Sequence, residues 1–154
     1  MLELATFTTL ALFAVVVSQP LFYLVALSRA SGALSAPAYV ELRQRINEVM
    51  NVRLVPLYGA TLVSTLVLIW AAFARGERVL GAAALIAVAG LVTDAVLAVR
   101  RNVPINTRMD GWSPTNVPAD WETHRARWTA AFSTRQIVLA FAYSALLVGV
   151  VASR

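Results

Sequence analysis

Hydrophobic and polar positions divide the chain into long apolar runs separated by two polar stretches. Residues 54–74 and 79–99 are nearly unbroken apolar runs. As helices rising 1.5 Å per residue, each would be about 30 Å long, the thickness of a bilayer's hydrocarbon core. Residues 4–28 form another run if Gln19 and Pro20 are tolerated inside a bundle, and residues 136–152 form a last one at the short limit. The pattern predicts an all-α fold: an integral membrane four-helix bundle, one domain over residues 1–154, with amphipathic helical extensions on one side.

Breaks in the pattern predict where elements meet. Gly32, two serines and Pro37 in "ALSRASGALSAP" end the first helix, and a new one starts where Ser35 suits a cap and Pro37 a first turn. From Tyr39 the spacing becomes amphipathic, with Tyr39, Leu42, Ile46 and Val49 on one face and Gln44, Asn47 and Asn51 on a polar stripe of their own. Pro56 is expected to kink the entry into the second span by freeing the Val52 carbonyl. The turn "ARGER" makes spans two and three antiparallel neighbours. Pro104 predicts a stop to the third helix, and Pro118 the start of another. Along this last helix Trp121, Arg125, Trp128, Phe132 and Arg135 share a face, with His124 beside them.

Composition sharpens this picture. The chain is 59% hydrophobic and 14% charged, with a mean hydropathy of +0.70, far from a soluble domain. Glu3, with no basic residue before the apolar run, argues for a retained first helix rather than a secretory signal. There is no cysteine and one histidine, so neither a thiolate centre nor a dedicated transition-metal site is expected, and no cofactor is implied. All 13 basic residues are arginine and the net charge is +5. This usage points to a GC-rich bacterial source rather than to nucleic acid, because no single basic patch or stacking motif accompanies it. Nine of the 13 arginines fall in stretches 29–53 and 100–127. The positive-inside rule then places these polar connections in the cytoplasm, with the protein in a bacterial cytoplasmic membrane.

Candidate chemistry gathers at that polar side. Asp94 lies deep in an apolar run, where a carboxylate persists only if paired or facing a polar cavity. It is either a general base or one half of an ion pair with Arg101 or Arg135. Asn102, Pro104 and Asn106 form N-x-P-x-N at the end of helix three, which is ordinary turn chemistry taken alone. With Asn47 and Asn51 at the same depth, the asparagines can line one polar cavity. Trp112, Trp121 and Trp128 are either an interfacial belt or the wall of a site for a flat aromatic ligand. Arg135 enters an apolar span and needs acceptors there, and Asp94, about 12 Å below Asn102 by helix rise, is within reach of its long arm. His124 is either an interfacial side chain or a base.

The segment "RRNVPINTRMDGWSP…ADWETHRARWTAAFSTRQI" resembles the anthrone oxygenase-like family of small four-helix membrane proteins, a family of unknown function by origin. The resemblance is carried by Asn102, Pro104, Asn106, the Trp121–Trp128 pair and Arg135, with an asparagine in the 47–51 region also familiar. The family commonly has a histidine two or three residues before that arginine, where this chain has Phe132 and Ser133, so His124 or Asp94 would serve as base. The resemblance implies a cofactor-independent monooxygenase that oxidises a planar phenolic anthrone with molecular oxygen. It would need a base, an apolar pocket and oxyanion donors such as Arg135, Asn102 and Asn106. The alternative is a non-catalytic membrane module binding a lipid, a quinone or a partner membrane protein. For that role the small residues Gly81, Ala82, Ala84, Ala87, Ala89 and Gly90 permit close helix packing within the bundle, with a partner or with a second copy.

Overall fold

The computed structural model describes residues 1–153, with the side chain of Asn51 outside the description. The fold is all-helical. α1 (Leu2–Phe22) runs through a π-helical turn (Tyr23–Leu27) into α2 (Ser28–Gly32). α3 (Ala36–Ala74) is one continuous helix that includes both the amphipathic extension and the second apolar run. α4 (Arg78–Leu97) passes through a second π-helical turn (Ala98–Asn102) into α5 (Val103–Asp110), and α6 (Trp121–Ala152) closes the chain.

Four helical segments are long and apolar enough to cross a membrane: Leu2–Gly32, Val52–Ala74, Arg78–Asp110 and Trp121–Ala152. All four exceed the apolar runs because helix continues beyond them. Large apolar side chains cover the outer face of these segments: Phe7, Val25, Val63, Trp70, Ile137, Phe141 and Val148 are all exposed. Helices that are apolar all round belong in lipid.

Two boundaries differ from the sequence pattern. Pro104 does not stop the third helix. A proline in an α-helix clashes with the carbonyl four residues back, here Arg100, and offers it no donor. The π turn just before it changes the ladder: Val103 donates to the Ala98 carbonyl, five residues back, and the helix resumes with Pro104 in its first turn, where a missing donor is harmless. Pro118 does not begin a helix either. Its carbonyl accepts the Trp121 amide at 3.1 Å in a turn, and Asp120 takes the N-cap position. At the start of α3, Ser35 does occupy the N-cap, with Pro37 in the first turn, but its side chain makes no capping bond. The α3–α4 connection is short, and Gly76 supplies the positive φ of 79° that a tight reversal needs.

The bundle closes as a ring in which α1 packs on α3 and α6, and α4 on α3 and α6. The tightest seam is α4 with α6. A Cβ at Gly90 would collide with the Ala142 side chain, and one at Gly149 with that of Ala83. These pairs, one two turns along from the other in an antiparallel register, let the helix backbones approach closely. In lipid, dispersion from such close packing replaces the hydrophobic effect as the force between helices. Leu80, Ala84, Ala87, Leu91, Leu139, Ala142 and Leu146 fill the surrounding core, with Phe13 of α1 stacked on Tyr143 at 5.9 Å between centroids. Gly81 meets the Phe73 ring, whereas Ala82 and Ala89 face outward.

The seam predicts that Gly90→Leu and Gly149→Leu each lower the stability of the purified protein in detergent by about 1–3 kcal/mol or more through overpacking. Gly59→Leu, at a position open to 4 Å, should leave it unchanged. Thermal unfolding of the three variants followed by circular dichroism checks this, and equal melting temperatures would contradict the packing assignment.

Candidate functional site

Both π turns lie at the polar end of the bundle, and each orients a residue of one cluster. The first begins at Tyr23, the second ends at Asn102, and both residues are buried. The extra residue in a π turn rotates everything after it relative to an unbroken helix. That rotation turns Asn102 toward α6, where its Nδ2 donates to the Trp128 carbonyl at 3.1 Å.

The deeper tier of the cluster is ionic. Asp94, 0% exposed, accepts from Arg135 Nε at 2.8 Å on one oxygen and from Nη2 at 3.0 Å on the other. Tyr58 of α3 donates its hydroxyl to the second oxygen at 2.6 Å, and Arg135 Nη1 reaches Asn102 Oδ1 at 3.5 Å. Three helices are thus joined through one carboxylate. The fork geometry matches guanidinium to carboxylate, and the added phenol satisfies a remaining lone pair. Arg101, the other partner considered for Asp94, is exposed. A carboxylate engaged on both oxygens is poorly placed to take a proton from a substrate.

The upper tier is built on α3. Arg43 Nη2 donates to Asn106 Oδ1 at 3.1 Å and to Asn47 Oδ1 at 3.4 Å, while Asn47 Nδ2 donates to Asp110 Oδ1 at 2.9 Å. Gln44 Nε2 donates to the carbonyls of Met109, Trp112 and, more weakly, Asp110, at 3.0, 2.9 and 3.3 Å. Gln44 therefore serves the orphan carbonyls at the end of α5. An aromatic column links the tiers. Arg43 lies 3.9 Å from the centroid of the Trp128 ring, Trp128 stacks on Phe132 at 4.8 Å, and Arg135 stands 5.5 Å from Phe132. Tyr23 meets both rings edge-on.

The structure thus brings Asn47, Asn102, Asn106, Trp128, Asp94 and Arg135 into one network. Asn51, expected among them, lies outside the described side chains. Trp121 and Trp112 are half-buried at the rim: Trp121 lies beside Tyr39 and under Arg125, and Trp112 sits edge-on to His124. His124 is buried, with Nε2 at 3.3 Å from Asp120 Oδ2 and 3.5 Å from Arg108 Nη1. No group of three or more metal-ligating side chains forms among the described residues.

The expected cavity is displaced from the asparagines. They bond instead to Arg43, Asp110, Arg135 and the Trp128 carbonyl, and the space borders Arg43 on the side of Tyr23 and Tyr39. A void of about 10 Å³ is lined there by Tyr23, Leu27, Ser31, Tyr39, Leu42, Arg43 and Ile46. It adjoins an open groove of about 470 Å³ between α2 and the start of α3, with Leu27, Ser31 and Leu42 bordering both. Burial raises the Tyr39 phenol above its ordinary pKa, against the pull of Arg43, and lowers the Arg43 guanidinium, against Tyr39, Tyr23 and Asp110.

Sequence reasoning passed over Arg43, Tyr39 and Tyr58 as site residues. A signal for the first two exists: Tyr39, Arg43 and Asn47 recur every four residues and so share one helix stripe. Tyr58 had only its polarity inside an apolar run. No protein-family model, curated protein or solved structure matches the chain.

Removing the charge at Asp94 should strand a guanidinium inside the bundle. Asp94→Asn is expected to cost about 3–5 kcal/mol, and the double variant Asp94→Leu with Arg135→Met to recover most of it. Denaturation in mixed micelles of the double variant and of its two single variants provides the measurement, and losses that add in the double variant would show that the pair carries no coupling.

Proposed function

We propose that this chain is a protein of a bacterial cytoplasmic membrane that binds a small amphipathic molecule at its polar mouth, which faces the cytoplasm. The observation that carries this reading is the groove of about 470 Å³ opening onto the corner where Arg43 meets Tyr23 and Tyr39. Leu27, Ala30, Leu34, Ala38 and Leu42 supply apolar lining, and Glu41 and Arg45 stand among the lining residues as its charged members. A flat or elongated apolar body in the groove brings its polar end to an aromatic, cationic corner, the usual division of labour in a small-molecule site. The nine arginines of the two polar stretches support the cytoplasmic placement, and the exclusive use of arginine supports a bacterial source.

Catalysis is a second reading, favoured by His124. It is a buried imidazole whose Nε2 stands between the Asp120 carboxylate and the Arg108 guanidinium, and a neutral imidazole is the side chain suited to take a proton near neutral pH. His124 would then stand in for the base that the anthrone oxygenase-like family has two or three residues before its arginine, where this chain has Phe132 and Ser133. The base would remove a benzylic proton from an anthrone, and the carbanion would pass an electron to molecular oxygen. Recombination gives a hydroperoxide that loses water. One oxygen atom stays on carbon as the new carbonyl and the other leaves with the two benzylic hydrogens, so no further reductant is required. Asp94, Arg135 and Asn102 are engaged with one another and with Trp128, which leaves His124 as base and Arg43 as the cationic donor for this reaction.

Two measurements test these readings. Anthrone or 1-hexadecanol should raise the melting temperature of the detergent-solubilised protein but not that of Ala38→Trp, which fills the groove. A shift that survives this substitution would overturn the groove reading. Oxygen uptake with anthrone, measured with a chelator and without flavin or nicotinamide, should exceed the protein-free rate and fall about 10²–10⁴-fold in His124→Ala. Unchanged rates in that variant, or an absolute need for added metal or flavin, would remove the catalytic reading.

A further inference from the structure

Two arginines point into the bundle end, and only one has a counterion. Arg135 has Asp94. Arg43 is 6% exposed, yet no carboxylate among the described residues lies within ion-pairing distance of it. Its Nη2 donates to two neutral amide oxygens, and the nearest acid of its network, Asp110, is reached only through Asn47. Its Nε has no hydrogen-bond partner at all. The Trp128 ring beneath it compensates part of the charge through its π face but accepts no conventional hydrogen bond from Nε. A buried cation with an unmet donor is costly to keep, and an anion in contact with it removes both costs.

Resting on the groove reading above, we infer that Arg43 receives the carboxylate of a carboxylate-bearing amphiphile whose apolar body lies in the groove. The void beside Arg43 sets the size of the head. At about 10 Å³ it has room for one oxygen-sized atom. One carboxylate oxygen fits there and accepts from Nε, which leaves one further oxygen to place outside the void, against three for the phosphodiester of a phospholipid. Ser31 and the phenols of Tyr23 and Tyr39 border the same void and can donate to the head. Arg43 lies on α3 nine residues before the spanning part, which begins at Val52. Arg45, the other cation of the groove, is engaged with Glu48 at 3.5 Å and its side chain is 75% exposed, so the acid is directed to Arg43.

The test uses the full chain in phosphatidylcholine nanodiscs at pH 8. Palmitate is compared with 1-hexadecanol, and 9-anthracenecarboxylate with 9-anthracenemethanol, so that long-chain and planar bodies are separated. At least one acid should bind about tenfold or more tightly than its own alcohol, the weight of one charge-assisted hydrogen bond. Arg43→Gln should abolish that preference, so that acid and alcohol bind alike. Should that variant fail to fold, Ser31→Leu keeps the cation and fills the void, and is expected to lose the preference likewise. Equal binding of acid and alcohol by the natural chain overturns the inference and leaves the groove reading standing. So does an acid preference that survives both substitutions. If neither acid nor alcohol binds, the groove reading itself fails.

Discussion

A carboxylate and a guanidinium within apolar helices are tolerable only against each other, and the polar end of this bundle is organised by that constraint. Asp94 sits on α4 and Arg135 on α6, the two helices with the closest packing, and Tyr58 brings in α3 through the same carboxylate. The pair is compatible with one axial register of α4 against α6. Further along this seam the contacts Gly90 with Ala142 and Gly149 with Ala83 hold the same antiparallel alignment. A slip of one turn would separate the charges and press glycine-sized gaps against larger side chains.

With that register set, the chain can carry polar groups beyond the lipid core and satisfy most of them. Asn102 bonds both to Arg135 and to the Trp128 carbonyl, and Trp128 in turn supports Arg43. The asparagines are consequently more structural than the residue types alone suggest: they join α3, α4, α5 and α6 at the mouth. The π turns belong to the same solution. At Ala98–Asn102 the wider turn both absorbs Pro104 and aims Asn102, so a single irregularity removes a helix-breaking conflict and builds a contact.

The division between closed and open parts of the mouth follows from charge pairing. Around Asp94 donors and acceptors match, and the packing is tight. Around Arg43 they do not: a donor and a charge remain unmatched beside a void that adjoins a groove. Binding sites carry such mismatches because the ligand supplies the missing group, and a fully matched network has nothing left to offer one.

The sequence by itself determined the fold class and the element types. Runs of 20 or so apolar residues have few alternatives to spanning helices, because only internally bonded backbone survives in lipid. It also brought Asp94, Arg135 and the asparagines forward, since each is expensive where it stands and its residue type says so. Tertiary structure alone decided the rest. Which arginine met Asp94 depended on the α4–α6 register, a sum of many weak contacts with no local signature. Pro104 read as a stop because proline's local preference is strong, and the π turn that overrides it is selected by the contacts Asn102 gains. Arg43 read as one charge on a polar face, because its burial comes from Trp128 and Asn106, which lie far along the chain and reach it only when the helices have packed.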